Sequence, residues 1–164
     1  MSKIWYLLRC PEGNETDYLD RCSELLNSGE TGEVLCFHYQ RMMRYGGGWH
    51  LEKRMVLPGC VFVAGTNRLV ERYQQRNLKQ KCEVILTPCE APYLKKLCGD
   101  GSLIEISRGI VRNGAVVVTS GPLKGRESLI RRIDRHKRTA KIEIPLVGSQ
   151  KQITVGLEIY EKEV

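Results

Sequence analysis

Apolar and polar residues alternate along the last third of the 164-residue chain. Between positions 153 and 159 every second residue is Ile, Val or Leu, and Ile142 and Ile144 alternate with Lys141 and Glu143. Successive side chains of a β-strand point to opposite faces, so this period of two predicts strands with one buried and one solvent-facing side. No helical pattern is found after residue 101, and short strands with tight turns predict a small β-barrel.

The earlier part of the chain combines strand and helix patterns. Strands are predicted at 3–9, 34–45, 49–55, 60–63 and 83–86, and helices are predicted to begin near 14–16, 66–67 and 92. Because hairpin strands are mixed with helices, this order predicts an α+β fold with an antiparallel sheet and flanking helices. The run at 98–102, which contains Gly and Asp, is typical of a linker or the edge of a domain. We therefore expect one domain at 1–100, a linker at 101–108 and a β-barrel domain at 109–164.

Positive charge is concentrated in the last third of the chain. The whole chain carries a formal charge of +7, and residues 107–164, with 12 Lys or Arg against 6 Asp or Glu, supply +6 of it. Eight of these cations lie between Lys124 and Lys141, where the acids are Glu127 and Asp134. A structural hairpin does not require so many cations. This asymmetry predicts a nucleic-acid-facing module, with a solvated basic surface as the alternative.

Seven cysteines are present, at positions 10, 22, 36, 60, 82, 89 and 98. Their number is odd, and no pair has the Cys-x-x-Cys spacing of common metal and redox motifs. Because they lie mostly within apolar stretches, we expect buried free thiols in a reducing cytoplasm. No ligands are clustered for zinc, so we expect no metal and no other cofactor.

The sequence contains no signal for an enzyme or for a membrane protein. His38, His50 and His136 are scattered, and no Walker loop, His-Glu-x-x-His motif or nucleophile elbow is present. No apolar run approaches the roughly 20 residues of a membrane span, and the first residues lack a signal-peptide cleavage pattern. We therefore expect a cytoplasmic, monomeric protein with no catalytic residues and no membrane partner.

Two motifs carry a resemblance to a known family. The run WYLLRC at 5–10, followed by KRMVLPGCVFV at 53–63, resembles the N-terminal (NGN) domain of NusG-type transcription elongation factors. The run NGAVVVTSGPLKG at 113–125 is similar to the KOW motif of their C-terminal SH3-like barrel. Leu57 and Cys60 stand where the family usually has Phe and Tyr, and Ser128 replaces a usual glycine. The run GPLKGRE at 121–127, followed by RHKR at 135–138, resembles the sequence of the specialised antitermination paralogs called LoaP.

The resemblance implies RNA polymerase as a partner. The family binds the clamp helices of the polymerase through an apolar patch and touches the opposite jaw near the start of its second helix. The matching polymerase-binding positions are Tyr6, Arg9, Leu57, Pro58, Cys60, Phe62, Thr66 and Asn67. Some of these residues are also candidates for core strand, and Thr66 or Asn67 is also a candidate helix cap.

The basic segment is the candidate RNA-binding site. Guanidinium groups pair bidentately with phosphate and reach guanine edges, and a protruding basic turn fits a widened RNA hairpin such as one in a transcript leader. We expect these basic residues to lie at one end and on one face of a hairpin. They are Lys124, Arg126, Arg131, Arg132, Arg135, His136, Lys137, Arg138 and Lys141.

A second basic segment lies in the first part of the chain, around the Gly46–Gly48 turn. Cations and aromatic rings together suit forked or single-stranded nucleic acid, so contact with upstream DNA is one interpretation and a solvated hairpin the other. The residues are Arg41, Arg44, Tyr45, Trp49, His50, Lys53 and Arg54.

The resemblance predicts a transcription elongation factor that promotes processive antitermination after recruitment by RNA. Two alternatives remain at this point. One is a general elongation or pausing factor whose KOW domain binds a protein, and the other is a ribosome-associated KOW protein. The Trp-Tyr and Leu-Pro-Gly strands argue against the ribosomal alternative, since such a protein has no need of them.

Overall fold

The computed structural model describes residues 4–26, 32–65, 71, 86–99 and 101–163. The strands are β1 (Ile4–Arg9), β2 (Gly32–Leu35), β3 (His38–Tyr45), β4 (Gly48–Met55), β5 (Cys60–Gly65), β6 (Leu86–Pro88), β7 (Leu103–Ile104), β8 (Ser107–Arg112), β9 (Ala115–Ser120), β10 (Ile130–Asp134), β11 (Thr139–Leu146) and β12 (Ser149–Glu163). The helices are α1 (Glu15–Leu26) and α2 (Pro92–Leu97), with one 3-10 turn at Glu127–Leu129.

This architecture corrects the predicted α+β fold with flanking helices. Strands make up 57% of the described residues, which hold two α-helices and three sheets, and no barrel closes among them. The predicted strand at 34–45 is in fact two strands in different sheets, because the chain leaves the first sheet at Cys36 and Phe37. The predicted second helix lies outside the described residues, apart from residue 71.

The chain divides into two compact units that do not follow chain order. The first takes residues from 1–36, 57–92 and 146–148, and the second takes 37–56, 93–145 and 149–164. The hairpin β3–β4 therefore belongs with the C-terminal strands. The domain boundary near 101–108 stays a prediction.

The first unit contains a four-stranded sheet in the order β2-β5-β1-β6. β5 pairs antiparallel with both β1 and β2, and all six of its residues are buried. Leu7 and Leu8 of β1, which point to opposite faces, are buried as well. Burial on both faces explains why β5 reads as a continuous apolar run rather than as an alternating pattern.

The second unit contains a five-stranded sheet in the order β10-β11-β12-β8-β9 and a three-stranded sheet in the order β4-β3-β7. β3 approaches β12 closely at Gly156, where a Cβ atom would overlap the carbonyl oxygen of Gln40. The Gln40 side chain also accepts a hydrogen bond from the Ile106 backbone N–H at 3.1 Å. These contacts attach the hairpin β3–β4 to the C-terminal strands.

The five-stranded sheet stays open because its two edge strands do not pair. Closing it into the predicted barrel would require β9 to bond with β10, and on β9 the Val118 backbone N–H is instead donated to the Glu127 carboxylate at 3.1 Å. Backbone N–H groups of Glu127 itself and of Val118 hold the pKa of this carboxyl below its ordinary value. The basic strand β10 is therefore left at an edge of the sheet.

Candidate nucleic-acid interface

A cavity of about 280 Å³ lies between β3 and the hairpin β10–β11 in the second unit. Four of its lining residues are cations, and one, Asp134, is a carboxylate. The Asp134 carboxylate accepts the Lys137 backbone N–H at 2.9 Å, and this bond lowers its pKa, so the carboxylate is committed to the turn. The four cations are Arg41, Arg132, Lys137 and Lys141. The cavity therefore has a net positive lining suited to an anion.

Arg41 connects this cavity to a smaller one. Its Nε atom is buried and has no hydrogen-bond partner within the described part of the chain. A buried N–H donor left unsatisfied costs about 1–3 kcal/mol, so the free protein gives up stability at this position. A phosphate oxygen is one group that would supply the acceptor that this donor lacks.

The smaller cavity, of about 200 Å³, lies between the hairpin β3–β4 and the turn that joins β10 to β11. It combines cations with the side chains of Met42, Met43 and Trp49. We call the basic residues of the two cavities the cationic face. They are Arg41, Arg44, Arg132, His136, Lys137 and Lys141. Apolar and aromatic groups beside cations are the combination that contacts bases as well as phosphates.

The tip of the hairpin β3–β4 carries a preformed aromatic stack. The Tyr45 and His50 rings lie 3.9 Å apart with planes 11° from parallel, and the His50 Nε2 atom lies 3.0 Å from the Tyr45 carbonyl oxygen. The Tyr45 hydroxyl donates a hydrogen bond to Glu52, and this bond is the main cause of the raised pKa of Tyr45. Tyr45 and His50 are both exposed, together with Lys53 and Arg54 of the predicted DNA-contacting group. Arg54 is paired with Glu52 at 3.2 Å.

The structure divides the nine predicted RNA-binding residues instead of placing them on one face. Arg132, His136, Lys137 and Lys141 join the cationic face. Arg126 and Arg131 line a different cavity, while Lys124 and Arg135 are exposed in turns. The remaining residue, Arg138, is held over the Trp49 ring and beside Glu158.

A β-bulge separates Arg131 from Arg132. Ile130 is paired with Ile142 and Arg132 with Lys141, so Arg131 is the extra residue in its strand. It is held by Glu143 at 3.0 Å and by the Ser128 carbonyl oxygen at 2.7 Å. Bulges re-aim side chains, and charge counting along the sequence does not detect them.

Three of the six predicted polymerase-binding residues that the structure describes are core residues. Phe62 has no exposed surface, and Leu57 and Cys60 are buried. Pro58 and Arg9 are exposed, Tyr6 is half-buried, and Thr66 and Asn67 lie outside the described residues. Among the described positions, the accessible ones are therefore Tyr6, Arg9 and Pro58, and the polymerase contact stays a prediction.

Several cavity residues were missed by sequence reasoning. Tyr39, Thr139 and Thr154 line the larger cavity together with the cations. Tyr39 lies two positions before Arg41 and Thr139 two before Lys141, so each pair shares a strand face. The spacing of two residues was the signal available in the sequence, but it does not show that the face of β3 and the face of β11 line the same cavity.

The cysteines of the described residues are free thiols. Burial raises the pKa of Cys36, Cys89 and Cys98 to about 11, so these thiols stay protonated near neutral pH. Within the described ranges, no group of His, Cys, Asp and Glu side chains has an arrangement that could hold a metal ion. None of the described helices is long and apolar enough to cross a membrane.

Comparison with protein-family models gives no match for this chain, and comparison with curated protein sequences gives none either.

Proposed function

We propose that this protein binds RNA through the cationic face, and that this contact recruits it to transcripts on which it acts as an antitermination factor. The observation that carries the RNA-binding part is the cation-lined cavity at Arg41, whose buried Nε lacks an acceptor within the described residues. Phosphate oxygens accept strong charge-assisted hydrogen bonds from guanidinium groups.

RNA is favoured over regular duplex DNA by the shape and chemistry of the face. Cations lie beside Trp49 and two methionines in small concave cavities, not along an extended helix or ribbon that enters a major groove. Rings and flexible apolar side chains suit unstacked bases in loops and bulges, which is where RNA is usually read.

RNA binding is tested with the intact protein and a labelled RNA of the leader upstream of its gene. We expect Arg132→Ala and Lys141→Ala each to weaken RNA binding about tenfold. Each should also reduce the steepness of the plot of log affinity against log salt concentration by about 1. Arg112→Ala is the matched control, because Arg112 pairs with Glu163 at 2.6 Å and does not line the cavity. Affinity unchanged in both cavity variants contradicts the proposal.

The transcription part of the proposal rests on the sequence resemblance. RNA polymerase is the proposed partner, with contact through the accessible positions Tyr6, Arg9 and Pro58, and the cytoplasm is the proposed location. A weak polymerase contact suffices when a second contact tethers the protein to the same transcript, because tethering raises the effective concentration. Antitermination then requires higher affinity for the elongating than for the paused polymerase, not chemistry.

This part is tested by transcription with bacterial RNA polymerase through an intrinsic terminator placed after the leader. Read-through that requires both the protein and the leader is the expected result. Read-through without the leader would indicate a general elongation factor, and no effect on either template would contradict a role in transcription.

A further inference from the structure

A further cavity in the second unit shares no lining residue with the two cavities of the cationic face. Its volume is about 670 Å³, within the range of about 300–1,000 Å³ of small-molecule sites. α2, the 3-10 turn with the start of β10, and β11 supply its walls. None of its lining residues belongs to the cationic face.

One wall of this cavity offers a ring and a cation. The Tyr93 side chain is 52% exposed, and the Lys96 Nζ atom lies 5.4 Å from the centre of its ring. The apolar part of the cavity lining is formed by Leu97, Leu129 and Ile144. An aromatic ring beside aliphatic side chains provides a flat, weakly hydrated surface for another ring.

The lining also includes two oriented arginines. Arg126 donates to the Pro122 carbonyl oxygen at 2.6 Å, and Arg131 donates to the Glu143 carboxylate and the Ser128 carbonyl oxygen. A guanidinium has more N–H donors than these contacts use, so both groups are held in place with donors left for a ligand. Glu143 also lines the cavity and provides an acceptor there.

We propose that this cavity binds a single unpaired nucleotide, with the base against Tyr93 and the phosphate at Arg126 and Arg131. The proposal extends the proposed function, because it takes the nucleotide from the RNA whose backbone contacts the cationic face. Glu143 accepts a hydrogen bond from an exocyclic amino group, so cytosine, adenine or guanine is favoured over uracil. The same carboxylate disfavours an acidic peptide as the occupant.

The first test measures RNA binding by the intact protein and two variants at Tyr93. Tyr93→Ala is expected to weaken binding by a factor of about 5 to 150, the range for loss of one stacked base, whereas Tyr93→Phe keeps the ring and binds as wild type. Removing the stacked base from the RNA, by one abasic position, is expected to lower the affinity of the wild-type protein by the same factor. The same abasic position is expected to cause no further loss of affinity in Tyr93→Ala. Because Tyr93 is half exposed, both variants are expected to show the wild-type unfolding transition.

The second test measures binding of AMP, CMP, GMP and UMP to the same proteins. We expect wild type to bind UMP weakest and Tyr93→Ala to bind none of the four. If wild type binds the leader RNA but neither RNA nor mononucleotide binding depends on Tyr93, the nucleotide site is refuted and the proposed function stands. If mononucleotides bind through Tyr93 but the RNA does not bind, the proposed function fails and the site stands. Binding of an acidic peptide without any mononucleotide would overturn the site.

Discussion

The guanidinium of Arg138 lies 3.6 Å from the centre of the Trp49 ring. Arg138 is in the turn between β10 and β11 and Trp49 is on β4, so this contact joins the two basic hairpins. Arg138 has a positive φ of 56°, its carbonyl oxygen accepts the Leu157 N–H at 3.0 Å, and its side chain bonds Glu158 at 3.1 Å. A residue predicted to contact RNA is thus held within the protein.

Replacing both members of this pair is expected to reveal a coupling energy. Because the Arg138 side chain is 27% exposed, we expect a coupling of about 1 kcal/mol in urea unfolding of Trp49→Ala, Arg138→Ala and the double variant. Arg108 and Tyr160 form the control pair, since they are 5.1 Å apart and more exposed. A coupling no larger than that of the control pair would contradict the structural role.

Arg41→Met is expected to lower RNA affinity without lowering the stability of the folded protein. It removes a buried N–H donor that lacks an acceptor within the described residues, so the free energy of unfolding should stay the same or rise by about 1 kcal/mol. RNA affinity should fall about tenfold, because the phosphate loses a charged donor. Arg44→Met, at an exposed position on the same strand, is the stability control. Marked destabilisation by Arg41→Met alone would mean that its guanidinium is structural.

Gly156→Ala is expected to destabilise the second unit by about 1–3 kcal/mol, because the added methyl group overlaps the Gln40 carbonyl oxygen. If β3 is displaced, RNA binding should fall as well, since Arg41 is the next residue along that strand. Gly99→Ala is the control, because a Cβ there meets no atom within 4 Å. Equal unfolding midpoints for the two variants would refute the close approach of β3 to β12.

The Glu15 carboxylate is expected to make the first unit sensitive to acid. It accepts the Gly59 N–H at 2.9 Å and the Gly13 N–H, and backbone N–H groups, first its own and then those of Gly59 and Gly13, lower its pKa from 4.5. A lowered folded-state pKa contributes stability above the unfolded-state value that is lost as pH falls through the folded value.

Glu15→Gln should therefore lower the melting temperature at about pH 7, and the difference from wild type should shrink towards about pH 3. Glu105→Gln, at an exposed position, is the control and should change little at either pH. A difference from wild type that does not depend on pH would show that the carboxylate charge is not involved.

Elements with a clear period were predicted well from sequence. The first strand, the start of the first helix and the alternating runs at 141–144 and 153–159 lie where apolar spacing placed them, whereas β8 was not predicted. The strand predicted at 34–45 was wrong in extent, because Leu35, Cys36 and Phe37 are all buried and read as continuous strand. Strand propensity is a local property, whereas the sheet that a strand joins depends on packing with distant residues.

The candidate interface was only partly accessible from sequence. Charge counting found Arg132, Lys137 and Lys141, and the glycine-rich turn drew attention to Arg41. The meeting of their two hairpins was not predicted, because the distant contact between Gly156 and Gln40 has no periodic signal. The bulge at Arg131 determines which cations share a face of the strand, and it has no periodic signal in the sequence either.

The sequence by itself determined where the clearly periodic strands form, which of their faces are apolar and where the positive charge is concentrated, because these follow from side chains at neighbouring positions. Only the tertiary structure decided that the C-terminal sheet stays open, that the hairpin β3–β4 joins it, and that the cations divide between two sites. These outcomes depend on particular tertiary contacts: the Val118 backbone N–H donates a hydrogen bond to the Glu127 carboxylate, and Arg138 packs on the Trp49 ring.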